Sequence, residues 1–280
     1  MVHTRSFKFL AAWLTDNRFT ELVRRSFEGK VNWLDAMDQF EADVRVWHQG
    51  VFKEHNKKKN RLYSRLNGLD SFRYGRFDHN TELLQKDLWR ELQAILVREE
   101  LMWFQRSRNQ WLKFGDKNSK FFHASAVARR RHNRIVALKD DQGNWISDTD
   151  LLVNMATDFY QNLFKSEGER EGSFPIQNKF PELSNSEKRL LSCAPSREEI
   201  RRTMFLMGKF KAPGPDGLSV IFIQSQWETI CVSICELIEG IFSDPKKVRS
   251  VNGTLICLIP KKESPENMKE FRPISLCNVV

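Results

Sequence analysis

Apolar residues recur at steps of three and four through most of the chain, the spacing of one face of a helix. Met37, Phe40, Val44, Trp47 and Val51 make the first long stripe, and after a polar patch (His55, Lys57, Lys58, Lys59) the step resumes at Leu62, Leu66 and Leu69. Polar, Gly-containing residues at 67–80 read as a turn, and Leu84, Leu88, Leu92, Ile95, Leu96 and Met102 form a return stripe. Two such stripes bury one another as an antiparallel pair, so the first third predicts one long helical hairpin. Residues 134–138 and 144–146 then flank the turn residues 140–143 as strand, turn and strand. A helix follows with Leu152, Met155, Phe159 and Leu163 on one face, and the polar stretch 165–181 is the best domain boundary in the chain.

Beyond that boundary Ser184 with Glu187, and Ser196 with Glu199, each read as a capping box opening a helix. Ile223, Trp227, Ile230, Ile234, Leu237 and Ile241 mark a core helix that Asp244-Pro245 ends. Residues 254–259, apolar at nearly every position, read as a strand covered on both faces. Pro260 stops the ladder and presents Lys261 and Lys262 at its exit. The fold class expected is mainly α with small β elements, an α+β chain.

Composition narrows the class. With 280 residues, 40% of them hydrophobic, and with eight Trp and 21 Phe, the chain can bury one or two ordinary cores and is not a disordered tail. The apolar stretch 9–14 is too short for a signal-peptide core and no long apolar run exists. A soluble intracellular protein is expected, nuclear or cytoplasmic and not secreted, with no membrane partner. The five cysteines form no CxxC framework, which suits a reducing compartment. Cys231 and Cys235 lie four apart on a helical pattern without a nearby His, so they read as buried small side chains rather than zinc ligands.

The net charge of +9 is concentrated: residues 98–139 hold eleven Lys and Arg against three acids, Glu99, Glu100 and Asp116. Arg106, Arg108, Lys117, Lys120, Arg129, Arg130, Arg131 and Arg134 are the candidate polyanion contacts. Trp103, Phe104, Trp111, Phe114, Phe121 and Phe122 are interleaved with them, a mixture suited to phosphate neutralisation and base stacking. The aromatics read better as core, and the 129–134 cluster as a polyanion surface. Asp140 and Asp141 invite comparison with a polymerase palm, but Lys139 before them and Gln142-Gly143 after them are turn chemistry.

The loop KAPGPDG (211–217) has two Pro to fix φ and two Gly to allow φ > 0, so it can make tight turns with little freedom to lose on folding. It is expected to be stiff and exposed, with Asp216 satisfying a turn or a helix start.

Three segments, KAPGPDG, then TLICLIPKK (254–262), then FRPISL (271–276), together resemble the entry to the fingers of a reverse transcriptase of the LINE (non-LTR retroelement) type, most closely the plant versions. The likeness continues through RSRNQWLKFGDKNSKFFH (106–123), RRRHNRIVAL (129–138) and FKFLAAWL (7–14). The resemblance implies a helical linker with basic segment and small hairpin at 1–165, a connecting stretch at 166–181, and an incomplete fingers region at 182–280, truncated before the palm. It implies RNA and DNA as partners, together with the palm and thumb of a full-length element. It implies template or primer contact for Lys211, Gly214, Asp216 and Gly217, and nucleotide-phosphate contact for Lys261 (or Lys262) and Arg272. A cationic clamp of that kind suits the β- and γ-phosphates of a nucleoside triphosphate. No catalytic residue, metal ligand or bound cofactor is expected here; Mg²⁺ belongs to the full-length family enzyme. The two functions left are a truncated RNA-directed DNA polymerase without catalysis of its own and a non-enzymatic helical RNA- or DNA-binding protein derived from such an element. A fingers strand without its palm further predicts an ordered helical region to residue 164 and a loosely held segment at 246–280.

Overall fold

A computed structural model describes residues 7–30, 32–52, 54–71, 79–107, 119–165 and 181–280. The helices are α1 (Arg18–Phe27), α2 (Trp33–Phe52), α3 (His55–Ser71), α4 (His79–Ser107), α5 (Ser119–His132), α6 (Thr149–Phe164), α7 (Asn185–Ser192), α8 (Arg197–Leu206), α9 (Val220–Ser225) and α10 (Trp227–Ser243). Strands β1 (Leu138–Lys139) and β2 (Trp145–Ile146) form one two-stranded sheet, and β3 (Thr254–Pro260) and β4 (Phe271–Cys277) another. The protein is therefore mainly α with small β elements, as the hydrophobic spacing predicts. It divides into two compact units, Met1–Ala128 with Arg197–Thr254 and Leu276–Val280, and Arg129–Ser196 with Leu255–Ser275.

The first unit is built on aromatic packing. Phe9, Phe19, Phe40 and Phe222 are almost fully buried, with Phe40 stacked on Phe222 at 4.9 Å and Phe9 tilted against it at 5.2 Å. Each such pair adds about 0.5–1.5 kcal/mol beyond the area it buries. The stripe of α2 (Ala36, Phe40, Val44) belongs to this core, with Ile223, Trp227, Ile230 and Ile234 of α9 and α10. That corrects the single long hairpin: α2 turns its apolar face to this core, and the hairpin proper is α3 with α4, closed by Leu62, Leu66, Leu88, Leu92 and Ile95. Periodicity names an apolar face without naming its partner. Helix α3 also runs on to Ser71, into the polar stretch that reads as a turn. Leu84 stands exposed on α4.

The second unit has a smaller core, in which Leu138, Leu152, Met268 and Phe271 are buried, with Met155, Ala156, Phe159 and Leu258 packed on them. Strand β1 pairs antiparallel with β2, Leu138 opposite Ile146 and Lys139 opposite Trp145. Helix α7 opens on the expected capping box, Ser184 N donating to Glu187 Oε2 at 2.7 Å. Strand β3 departs from expectation: Leu255, Ile256 and Ile259 are exposed rather than covered on both faces. Among the described residues of β3, Leu258 packs on the core and Pro260 is buried, while the rest of the strand has no covering element over it. The end of the chain also differs from the loosely held segment expected, since Val279 and Val280 pack on the large core of the first unit. The 166–180 part of the expected domain boundary lies outside the described residues.

Candidate nucleic-acid interface

The 208–218 loop is held by its backbone. Lys211 N donates to Gly208 O (3.2 Å) and Gly217 N to Gly214 O (3.1 Å), which makes two successive turns. Gly217 has φ +69°, and its carbonyl accepts from Phe9 N at 2.9 Å. A Cβ there would overlap the Phe7 carbonyl, and a Cβ at Gly214 would overlap the Cys277–Asn278 backbone. Only glycine meets both demands at 217, the left-handed φ and the close approach. The expected exposed loop is therefore corrected: Gly214 and Gly217 are buried, Pro213, Pro215 and Asp216 half-buried, and only Lys211 of the motif is fully exposed. The turns stitch the N-terminal segment to the last residues of the chain.

Asn278 is the residue the sequence reading missed. Its Oδ1 accepts from Asp216 N (3.1 Å) and its Nδ2 donates to Val251 O (2.9 Å), so one amide ties the loop to the turn before β3. No spacing or composition signal marks an isolated Asn in this role. Asp216 Oδ1 in turn accepts from Leu218 N at 3.0 Å. Burial nevertheless pushes its carboxyl up to about 6, the Leu218 N–H offsetting only part of that.

In the second unit LIP closes β3 and FRPIS opens β4, the strand it pairs with, and Lys261 and Lys262 follow just past the end of β3. Lys261 N donates to Glu270 O at 2.8 Å where the hairpin narrows. The side chains are less free than a phosphate clamp would suggest: Lys261 Nζ donates to Lys269 O (2.7 Å), and Lys262 Nζ pairs with Glu270 at 2.8 Å. The Lys262 ammonium holds the Glu270 carboxyl below its ordinary range. Arg272 is exposed and, among the described residues, has no ion-pair partner. Of the three, Arg272 is the cation open to a ligand.

The last turn of α5 carries Arg129, Arg130, Arg131 and His132, all exposed, and Arg134 follows, also exposed. Cations at a helix C-terminus are favoured by the dipole, which partly offsets their mutual repulsion. The interleaved aromatics divide: Phe122 is fully buried against Phe104 at 5.4 Å, whereas Phe121 is exposed. Trp103 lies 4.3 Å from the His123 ring, with the Arg106 guanidinium 5.1 Å from its centroid. Lys120 is exposed beside them. Arg108, Trp111, Phe114 and Lys117 lie outside the described residues. Asp140 completes the β1–β2 turn, its carboxylate accepting from Gln142 N (2.9 Å) and Asn144 N (2.8 Å), which holds it below the ordinary range. Cys235 is buried and Cys231 half-buried, both packed with the large core. Among the described residues no group of three or more His, Cys, Asp and Glu is placed to hold a metal ion. No described helix is long and apolar enough to cross a membrane.

No family model matches the chain. Over 278 residues it is 26% identical to a Xenopus laevis protein described as "Transposon TX1 uncharacterized 149 kDa protein", a match that covers 94% of this chain and 21% of that one. The chain thus spans about a fifth of the length of the curated relative it matches. A likeness of this extent supports an origin in a transposon.

Proposed function

We propose that the chain is the nucleic-acid-binding lead-in to an RNA-directed DNA polymerase of a LINE-type retroelement, plant-like in its motifs. A helical linker occupies 1–165 and the first part of the fingers 182–280. The observation that carries this reading is the near end-to-end likeness to a transposon protein in the same chain that spaces KAPGPDG, LIPKK and FRPIS in the order of such a polymerase. Arg129, Arg130, Arg131 and Arg134 neutralise backbone phosphates of RNA or DNA, with Arg106 and Lys120 as further contacts. Arg272 of β4, with Lys261 and Lys262 just past the end of β3, faces nucleotide phosphates; Lys211, the exposed residue of KAPGPDG, marks the template or primer edge, and Gly214, Asp216 and Gly217 shape that edge from beneath.

Two-metal phosphoryl transfer needs carboxylates converging on one site, and the roles above contain none. The Mg²⁺ chemistry of the full enzyme therefore falls to a palm and not to these residues. The test pairs two assays on the purified chain. A labelled single-stranded oligonucleotide should bind with an affinity that falls steeply with salt, the basic cluster at 129–134 alone contributing about −3 to the log–log slope for about four phosphates at roughly −0.7 each. Primer extension on poly(rA)/oligo(dT) with Mg²⁺ should give background only. Salt-independent binding, or templated products that survive repurification, would overturn the reading.

A further inference from the structure

Helix α3 carries five Lys and Arg against a single acid, Asp70. Three of them, Lys57, Arg61 and Arg65, recur at every fourth residue and so stand in one row, about 6 Å apart along the axis. Like charges at that spacing destabilise a helix, and the next step of the row within α3 is the apolar Leu69 and not an acid. All three are exposed and, among the described residues, none has an ion-pair partner. The other two cations of α3 are spent on the hairpin itself, Lys58 on Glu91 at 3.0 Å and Lys59 on Glu99 at 2.6 Å. Holding the hairpin together thus does not explain the row.

The row lines one wall of a cleft of about 650 Å³ whose lining also includes the apolar Leu62, Ala94 and Ile95. Only two acids line it, Glu54 and Glu91, and Glu91 is already taken by Lys58. A cationic wall above an apolar floor matches a ligand that is anionic along one side and apolar along the other. A nucleic-acid strand has that form, with phosphates on one side and sugar and base faces on the other. An acidic peptide offers the charge without a continuous apolar side.

We propose that this cleft of the α3–α4 hairpin binds the backbone of a single nucleic-acid strand, with Lys57, Arg61 and Arg65 neutralising successive phosphates. The proposal shares its ligand class with the function proposed above but none of its residues. It is tested on the full chain with Lys57, Arg61 and Arg65 all changed to Gln, by anisotropy of a labelled 20-nucleotide oligo(U) across a KCl series. Loss of three contacts at roughly 0.7 each should flatten the log–log salt slope by about two units. A companion variant, Arg129, Arg130 and Arg131 to Gln, separates the two readings. A wild-type slope in the α3 variant with a flattened slope in the companion overturns the cleft and leaves the function proposed above; absence of any binding by the wild-type chain overturns both. The charge-keeping pair Arg61→Lys and Arg65→Lys should retain the wild-type slope, and its loss would make the row a structural feature. Displacement of oligo(U) by polyglutamate as effective as by unlabelled oligo(U) would assign the cleft to an acidic protein instead.

Discussion

Asp216 sits where a buried charge and a tight turn meet, and its chemistry sets a pH dependence. Its carboxyl, pushed up to about 6 by burial, keeps its proton in the folded protein to a higher pH than the ordinary 3.8 of the unfolded chain. Between those values the folded state binds more protons, so stability falls as pH rises; the contribution is complete below about 4 and gone above about 6. Asp216→Asn preserves an acceptor for Leu218 N and removes the charge. Urea unfolding should show the variant gaining stability relative to the wild type as pH rises from 4 to 6, and exceeding it at pH 7.5 by up to about 3 kcal/mol, at 1.36 kcal/mol per unit. Parallel profiles for the two proteins would show that the carboxyl does not titrate there. The neighbouring Gly217→Ala should lose about 2–4 kcal/mol, because the left-handed φ is strained for a side chain and the new methyl meets the Phe7 carbonyl. A loss under about 1 kcal/mol would mean that the loop can move away from Phe7.

At the scale of elements, β3 and β4 leave Leu255, Ile256, Ile259 and Ile274 exposed on a sheet with only two strands. Unpaired edges with apolar side chains template association. Ile256→Lys with Ile274→Lys should therefore raise the concentration at which light scattering begins, with far-UV circular dichroism unchanged; lost helicity would show that the two side chains support the fold. The same strand marks how far a sequence can be read. Its β character was legible in 254–259, and so was α10 in its three-and-four spacing, because both signals are local. Its exposure was not, since an apolar run has the same composition whether or not something lies over it. Helix α2 teaches the same lesson: the stripe was plain, but the partners of its Phe40, Phe7 and Phe222, lie far from it and from each other in sequence. Of the candidate site, the charges at Arg129, Arg130 and Arg131 were legible because exposure is what charge runs adopt. The packing of KAPGPDG was not, because it depends on Phe7, Phe9 and a lone Asn278.

Over the whole chain the two compact units are unequal in what holds them. Among the described residues the first buries twenty in its main core, including seven Phe and Trp from the segment 7–40, whereas the core of the second buries four. Apolar burial stabilises by about 25 cal/mol per Å², so the larger core carries much more of it per element. That ordering differs from the ordered region to residue 164 expected of fingers without a palm, because α6 shares its core with Met268 and Phe271. Local opening follows the density of buried contacts. Hydrogen exchange read by mass spectrometry should therefore find the amides of α1, α2 and α10 slowest, with α6 and β3–β4 exchanging together and on the order of tenfold or more faster. The last residues of the chain supply the discriminating peptide. Asn278 bonds to Asp216 and Val251, and Val279 and Val280 pack on the large core, so 278–280 should be protected with the first unit while β4 just before them is not. Exchange of 278–280 at the rate of β4 would show that the terminal stitch is open in solution, and that KAPGPDG is held by Phe7 and Phe9 alone.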